Sequence, residues 1–319
     1  MGLFLGIDTS CYTTSVACVD EKGIVYEKRT VLSVKLGQRG LRQSEGLFQH
    51  VRNLESLLPG MLACLDRSQI RGIGVSSRPR PEADSYMPVF LAGRMAAASL
   101  GAGLGLTPYH TSHQQGHVRA AMLGNEALLE QLPILGMHIS GGTTEIFTVD
   151  AGLSIRLLGG TEDLHAGQLV DRLGVAMGLP FPAGAHLEAV ARAAGDTNIK
   201  LPASVKELRC SFSGVETAAR SLLGKAQMGE LALAVYDCLA RTFTKLIVQA
   251  ADKTGRNRIL LAGGVASSEL LREMLQERLE KADIDLYFGD PALSTDNAVG
   301  VALLTRDRIL QEANGWDRS

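Results

Sequence analysis

The chain has 319 residues, more than one hydrophobic core usually organises, so two domains are expected. Hydrophobic residues make up 45% and charged residues 21%, ordinary for a soluble globular protein. The net charge of -2 gives no global attraction to nucleic acid or an anionic membrane, so any RNA contact must use a local basic surface.

In chain order, Met1 to Asp8 runs straight into a strand and lacks a basic region followed by an apolar one, so no signal peptide is read there. Cys11, Cys18, Cys64, Cys210 and Cys238 include no Cys-x-x-Cys pair, and their odd number fits a reducing cytoplasm. Ile24 to Val34 reads as a strand. Lys28, Arg29, Lys35, Arg39 and Arg42 around it form either a local RNA-binding surface or a solvated face. Leu47 to Cys64 reads as a helix, Gly72 to Ser76 as a strand and Val89 to Leu100 as a helix. The apolar stretch from Val89 to Leu106 is short, rich in Gly and Ala, and holds Arg94, so it is a buried helix and not a membrane span. A strand at Leu153 to Leu158 precedes helices at Ala166 to Met177 and Ala185 to Ala194. The long helix Gly229 to Ala251 carries Leu231, Val235, Leu239, Phe243 and Ile247 four apart, a core-facing stripe, with Tyr236 read as core too. The strand Arg258 to Ala262 and the helix Ser267 to Ala282 follow. This alternation predicts an α/β fold.

A repeat at an offset of 130 residues gives the strongest architectural signal. Residues 5–20 read LGIDTSCYTTSVACVD, residues 135–150 read LGMHISGGTTEIFTVD, and seven of sixteen positions are identical. Each copy is an apolar run, a small polar turn and a second strand-like run, the pattern of a β-hairpin. The repeat predicts a duplication, with domains 1–133 and 134–319 and the last helix packing back near a central cleft. Turns rich in Gly, Ser and Thr supply N–H and hydroxyl donors to phosphate oxygens, so a ligand is expected in that cleft.

Three further elements carry chemistry. His113-Gln-Gln-Gly-His117 begins a helix, with Thr111 or Ser112 as the cap and Gln114 three residues beyond Thr111. Its histidines, four apart on one helical face, can grip one metal ion or can be a chance surface pair. Ser294-Thr-Asp-Asn297 opens the last helix. There Asp296 either completes a His, His, carboxylate set or serves only as a first-turn acid, while Ser294 or Thr295 caps. Leu261-Ala-Gly-Gly-Val265 is a strand ending in a Gly-Gly turn, which either lets a nucleotide approach the backbone or is a plain tight turn.

Gly6-Ile-Asp-Thr-Ser10, His113-x-x-x-His117, Ser140-Gly-Gly142, Asp163 to Arg172, Ser211-Phe-Ser-Gly214, Ala262-Gly-Gly-Val265 and Thr295-Asp-Asn297 stand in the order of one family. Over nearly its whole length the chain resembles the tRNA threonylcarbamoyladenosine synthase catalytic-subunit family, formerly O-sialoglycoprotein endopeptidase or glycoprotease. The resemblance implies a duplicated ribonuclease H-like fold of the actin and sugar-kinase type. It implies a divalent iron or zinc ion on His113, His117 and Asp296, and an adenine nucleotide, ATP or an acyl-adenylate, at Gly142, Asp171, Gly184 and Gly264. Ser140, Gly141, Gly263 and Ser268 belong to the same nucleotide turns, Ser268 standing where the family has Asn. The implied reaction moves threonylcarbamoyl from its adenylate to N6 of an adenosine in tRNA, with a related actin-fold subunit as partner.

The chain also departs from that family. Tyr12 replaces an acidic residue in Ser10-Cys-Tyr-Thr-Thr14, and Thr143 replaces a His in Ser140-Gly-Gly-Thr-Thr144; with Asp8 these are the candidate catalytic positions. A Gly-Pro-Gly turn becomes Ser76-Ser-Arg-Pro-Arg-Pro81, placing Arg78 and Arg80 in a rigid turn suited to an anion, and an acidic stretch becomes Asp163-Leu-His-Ala-Gly-Gln168. Three readings follow: the family transferase on tRNA, a carbamoyltransferase with another acceptor, and a non-catalytic nucleotide-binding scaffold or partner subunit. No zinc-protease Glu follows His113, and no catalytic Ser-His-Asp or Cys-His order is present, which argues against a peptidase.

Overall fold

A computed structural model describes residues 2–10, 12–34, 41–82 and 84–313. Met1, Cys11, Lys35 and Arg39, named above, lie outside the described residues. Residues 1–123 with 295–319 form one compact unit and residues 124–294 the other.

The first unit contains β1 (Leu3–Ser10), β2 (Thr13–Val19), β3 (Ile24–Val31), α1 (Gln43–Ala63), β4 (Ile70–Arg78), α2 (Phe90–Leu104), β5 (Tyr109–Ser112) and α3 (His113–Ala121). The second contains α4 (Ala127–Glu130), β6 (Ile134–Ile139), β7 (Thr144–Val149), β8 (Ile155–Thr161), α5 (Ala166–Ala176), α6 (Gly184–Arg192), β9 (Val205–Lys206), β10 (Arg209–Cys210), α7 (Ser213–Arg220), α8 (Met228–Thr254), β11 (Arg258–Ala262), α9 (Glu269–Leu279) and β12 (Asp285–Phe288). The last helix, α10 (Val299–Ala313), belongs to the first unit, whereas the division read from the repeat grouped it with residues 134–319.

The two sheets have one topology. The first runs β3-β2-β1-β4-β5. The second runs β8-β7-β6-β11-β12 and is extended beyond β8 by β10 and β9. In both, the first three strands are antiparallel neighbours and the last two lie parallel to the first. The hairpin registers match at the offset of the repeat: Leu5 pairs with Cys18 and Leu135 with Thr148. The repeated threonine is also used alike. Thr14 Oγ1 bonds His50 Nδ1 and accepts from Asn53 Nδ2, both on α1, while Thr144 Oγ1 accepts from the Ala166 N–H that begins α5.

Period-2 alternation sorts the faces of the first sheet. Leu3, Leu5, Ile7, Ile73 and Val75 pack with α1 and α2 in one core. The opposite face presents Gly6, Gly72 and Gly74, and α10 lies on it. A Cβ at Gly6 would collide with the backbone of Ala298 and Ala302, and one at Gly74 with Thr305. In the second unit α8 is the centre of the core. It is buried on more than the expected stripe, with Ala232, Tyr236 and Cys238 enclosed as well as Leu231 and Phe243. Burying each such large side chain contributes about 1.5–3 kcal/mol. Among the described residues, no helix is long and apolar enough to cross a membrane. Cys18, Cys64, Cys210 and Cys238 are free thiols.

Candidate metal centre and glycine turns

The first unit builds its site where β1, β5, α3 and α10 meet. Ser112 caps α3 by accepting the Gln115 N–H, while the Gln115 side chain accepts the Ser112 N–H. The box partner is therefore Gln115, not Gln114, because the cap sits one residue later than Thr111. The helix then projects His113 and His117 from one face. α3 and α10 come together at two glycines: a Cβ on Gly300 would strike the Gly116 carbonyl, and one on Gly116 would press Val301. This approach brings Asp296 to the histidines. Asn297, not Ser294 or Thr295, caps α10 by accepting the Val299 N–H. Ser294 instead bonds the Asp290 carbonyl, and Thr295 Oγ1 accepts from Arg29. Asp296 is thereby left for the site.

Three donor atoms converge. His113 Nε2 and His117 Nε2 are 3.0 Å apart, and Asp296 Oδ1 lies 3.2 Å from His117 Nε2 and 3.4 Å from His113 Nε2. Ligands held about 2.0–2.1 Å from a tetrahedral ion sit roughly 3.3 Å apart, so the set fits one iron- or zinc-sized ion. Behind it, Asp8 is 1% exposed. One of its oxygens accepts the Ser10 N–H at 2.7 Å and the other faces His113 Nδ1 at 2.7 Å. A proton on Nδ1 leaves the Nε2 lone pair aimed at the other two donors, the arrangement that orients a histidine ligand. Burial alone would lower the His113 pKa, but Asp8 and Asp296 outweigh it and hold the ring well above its usual value. Burial would raise Asp296, yet the two histidines hold it far below the carboxylate range.

The second unit carries the glycine turns. Between β6 and β7, Ser140 Oγ accepts the Thr143 N–H at 3.1 Å and the Gly142 N–H at 3.3 Å. Gly167 at the start of α5 packs so closely that a Cβ there would lie 2.5 Å from the Gly141 nitrogen. After β11, Gly263 has φ +102°, and a Cβ would meet the Ile139 carbonyl, so glycine is required beside β6. The space above Gly141, Gly142 and Gly264 is open, room that a side chain would fill and a phosphate can approach. Asp171 accepts the Ala183 N–H at 2.8 Å just before Gly184, and Ser268 caps α9 through the Leu271 N–H. Buried Tyr236 donates to the Gly184 carbonyl at 3.1 Å. Asp163 gathers the Ser211-Phe-Ser-Gly214 segment: it accepts from Ser211 Oγ, Ser213 Oγ and the Phe212 N–H. Burial works against these bonds, but the bonds hold its pKa well below the usual range.

Tyr12 sits at the β1–β2 turn, 43% exposed, and Thr143 at the β6–β7 turn. Arg78 ends β4 opposite Ser112, and its Nε is buried without a hydrogen-bond partner among the described residues. The turn is anchored to α3 because the Gln114 N–H donates to the Pro79 carbonyl. Lys28 and Arg42 of the basic segment are exposed, while Arg29 pairs with Glu27. Sequence reading missed His50, fully buried on α1, whose pKa burial pushes down to about 4 against the pull of Asp8 and Asp296. It also missed the Gly116–Gly300 contact, although Gly116 lies inside the His-x-x-x-His motif.

A duplicated α/β protein of the ribonuclease H-like, actin and sugar-kinase class, carrying a two-histidine, one-carboxylate donor set, is thus defined. The sequence profile of the tRNA N6-adenosine threonylcarbamoyltransferase family (TsaD) matches residues 49–303, and the chain belongs to that family. It is 30% identical to the protein of that name from Polaromonas sp., covering 96% of this chain and 91% of that protein. It is 30% identical to the one from Symbiobacterium thermophilum, covering 94% and 90%. Among solved structures, the fold is shared with the activator of 2-hydroxyisocaproyl-CoA dehydratase from Clostridium difficile with bound ADPNP, at TM-score 0.57 and 14% identity, covering 99% of this chain and 98% of that one. It is shared too with a ROK family glucokinase from Streptomyces griseus in complex with glucose and AMPPNP, at TM-score 0.54 and 13% identity, covering 96% and 100%.

Proposed function

We propose that the chain transfers a threonylcarbamoyl group from its adenylate to N6 of an adenosine in tRNA, the activity for which its relatives are named. One observation carries this reading: His113, His117 and Asp296 converge, with Asp8 behind them, in a member of this family. The three would hold a divalent iron or zinc ion, whose chemistry is Lewis acidity toward carbonyl and phosphoryl oxygens. Asp8 keeps the Nδ1 proton of His113 and fixes the ring, a positioning role that suits its burial. The open backbone at Gly141, Gly142 and Gly264, with Asp171, Gly184 and Ser268, is assigned to the adenylate. The two solved structures of this fold that hold ATP analogues support that assignment. Arg78 and Arg80 are assigned to an anionic group of donor or acceptor.

Tyr12 and Thr143 offer hydroxyls where the resembled family has a carboxylate and an imidazole, so the reaction here relies more on orientation and polarisation than on a side-chain base. Loss of one acid–base group costs about 10²–10⁴-fold, so turnover is expected to be slow. The test offers metal-replete protein labelled threonylcarbamoyl-adenylate with tRNA, small amines and alcohols in parallel, with and without related subunits. Label on tRNA is the expected result. Label on a small acceptor reassigns the substrate, and tight nucleotide binding with no transfer leaves a scaffold. In the same assay, Arg78→Gln with Arg80→Gln raises KM most at low salt.

A further inference from the structure

Arg119 lies two residues beyond His117 and is completely buried. Its Nε donates to Asp307 Oδ2 at 2.6 Å, while Nη1 and Nη2 are buried with no hydrogen-bond partner among the described residues. Asp307 is 24% exposed in its side chain and keeps a second partner, accepting from Arg306 Nε at 3.1 Å and Nη2 at 3.0 Å. A buried ion pair left this incomplete adds little net stability over an apolar side chain of similar size. It does penalise every other register, because any slip strands a charge in the interior.

The position of the pair gives that specificity a use. Three contacts join α3 to α10 and to the residues that lead into α10. His113 and His117 meet Asp296, Gly116 meets Gly300, and Arg119 meets Asp307. The glycine contact acts as a pivot because no side chain separates the backbones. His113 is three residues from that pivot, about 4.5 Å along the axis, so a tilt of roughly 10° displaces its backbone by about 0.8 Å. Metal sites tolerate about 0.5 Å.

We infer that the Arg119–Asp307 ion pair is a positioning device for the metal centre: it locks α3 against α10 and so sets the spacing of His113, His117 and Asp296. The inference rests on the metal reading above.

Arg119→Met tests it, since Asp307 retains Arg306 and no charge is stranded. The probe is Co²⁺ alone, followed by its visible spectrum, with Zn²⁺ competition for affinity, at a temperature well below the unfolding midpoint of the metal-free protein. Expected are a midpoint within a few degrees of wild type or higher, affinity at least tenfold weaker, and an altered Co²⁺ spectrum. Asp307→Asn, which keeps shape and an acceptor, should show a smaller loss of affinity, and Arg119→Lys should recover part of it. If wild type binds Co²⁺ and folded Arg119→Met and Asp307→Asn bind it equally well with the same spectrum, the ion pair is only structural and the inference is overturned. If wild type binds no Co²⁺ or Zn²⁺, the metal reading falls and this inference falls with it.

Discussion

Asp8 illustrates how much one buried carboxylate decides. Replacing it by Asn keeps the volume but removes the carboxylate that faces His113 Nδ1. Asp8→Asn should weaken metal affinity by about 10–100-fold while the circular dichroism spectrum stays unchanged, measured by chelator competition. His50 is a second residue with a predictable signature. Its folded pKa, pushed down to about 4, lies below its ordinary 6.5, so the unfolded chain binds the proton first as pH falls. Its contribution is complete above pH 6.5 and is lost between about 6.5 and 4, on the order of 3 kcal/mol in all. Urea unfolding at pH 7 and pH 5 should show wild type losing stability, with a smaller loss in His50→Gln. An equal loss in both would place the titration elsewhere.

At the scale of elements, the pairing of α3 with α10 depends on two glycines, Gly116 and Gly300. Glycine inside a helix costs about 0.5–1 kcal/mol relative to alanine. Gly300→Ala removes that cost yet drives a methyl group into the Gly116 carbonyl. Overpacking of this kind costs about 1–3 kcal/mol, so Gly300→Ala should lower the unfolding free energy, with metal affinity falling too. A neutral result in chemical denaturation would contradict the close crossing. α8 was legible from its apolar spacing, and α1 and β11 also fall close to where they were read. β5 and β12 were not, being four-residue strands with His110 and Asp285 among them and no alternation to detect. α7 was hidden because eight residues give barely two turns of pattern. The donor set was legible as motif and resemblance. The cap of α3 was legible as one of two candidates, Thr111 or Ser112, whereas that of α10 was placed two or three residues early, at Ser294 or Thr295 instead of Asn297, because neighbouring hydroxyls and amides offer equal candidates and only the backbone path selects among them.

For the whole molecule, the repeat revealed the duplication but not where the chain closes. Residues 124–294 are an uninterrupted unit with a core around α8, inserted before the final segment of the other unit. Expressed alone, residues 124–294 should unfold cooperatively in urea. Residues 1–123 should not, because the glycine face of their sheet lacks α10. A cooperative transition in the shorter fragment would show that α10 is dispensable. The same closure imposes an order of events during translation. Phe4, His113 and His117 are made early, but the helix that covers Gly6 and the carboxylate of Asp296 emerge only after the inserted unit is complete. A ribosome that stalls before Thr295 releases a polypeptide with an open sheet face and no third donor. Chains ended before Thr295 therefore expose the glycine face of the first sheet and hold only His113 and His117 of the three clustered donors, so the donor set is the last feature of the first unit to be completed.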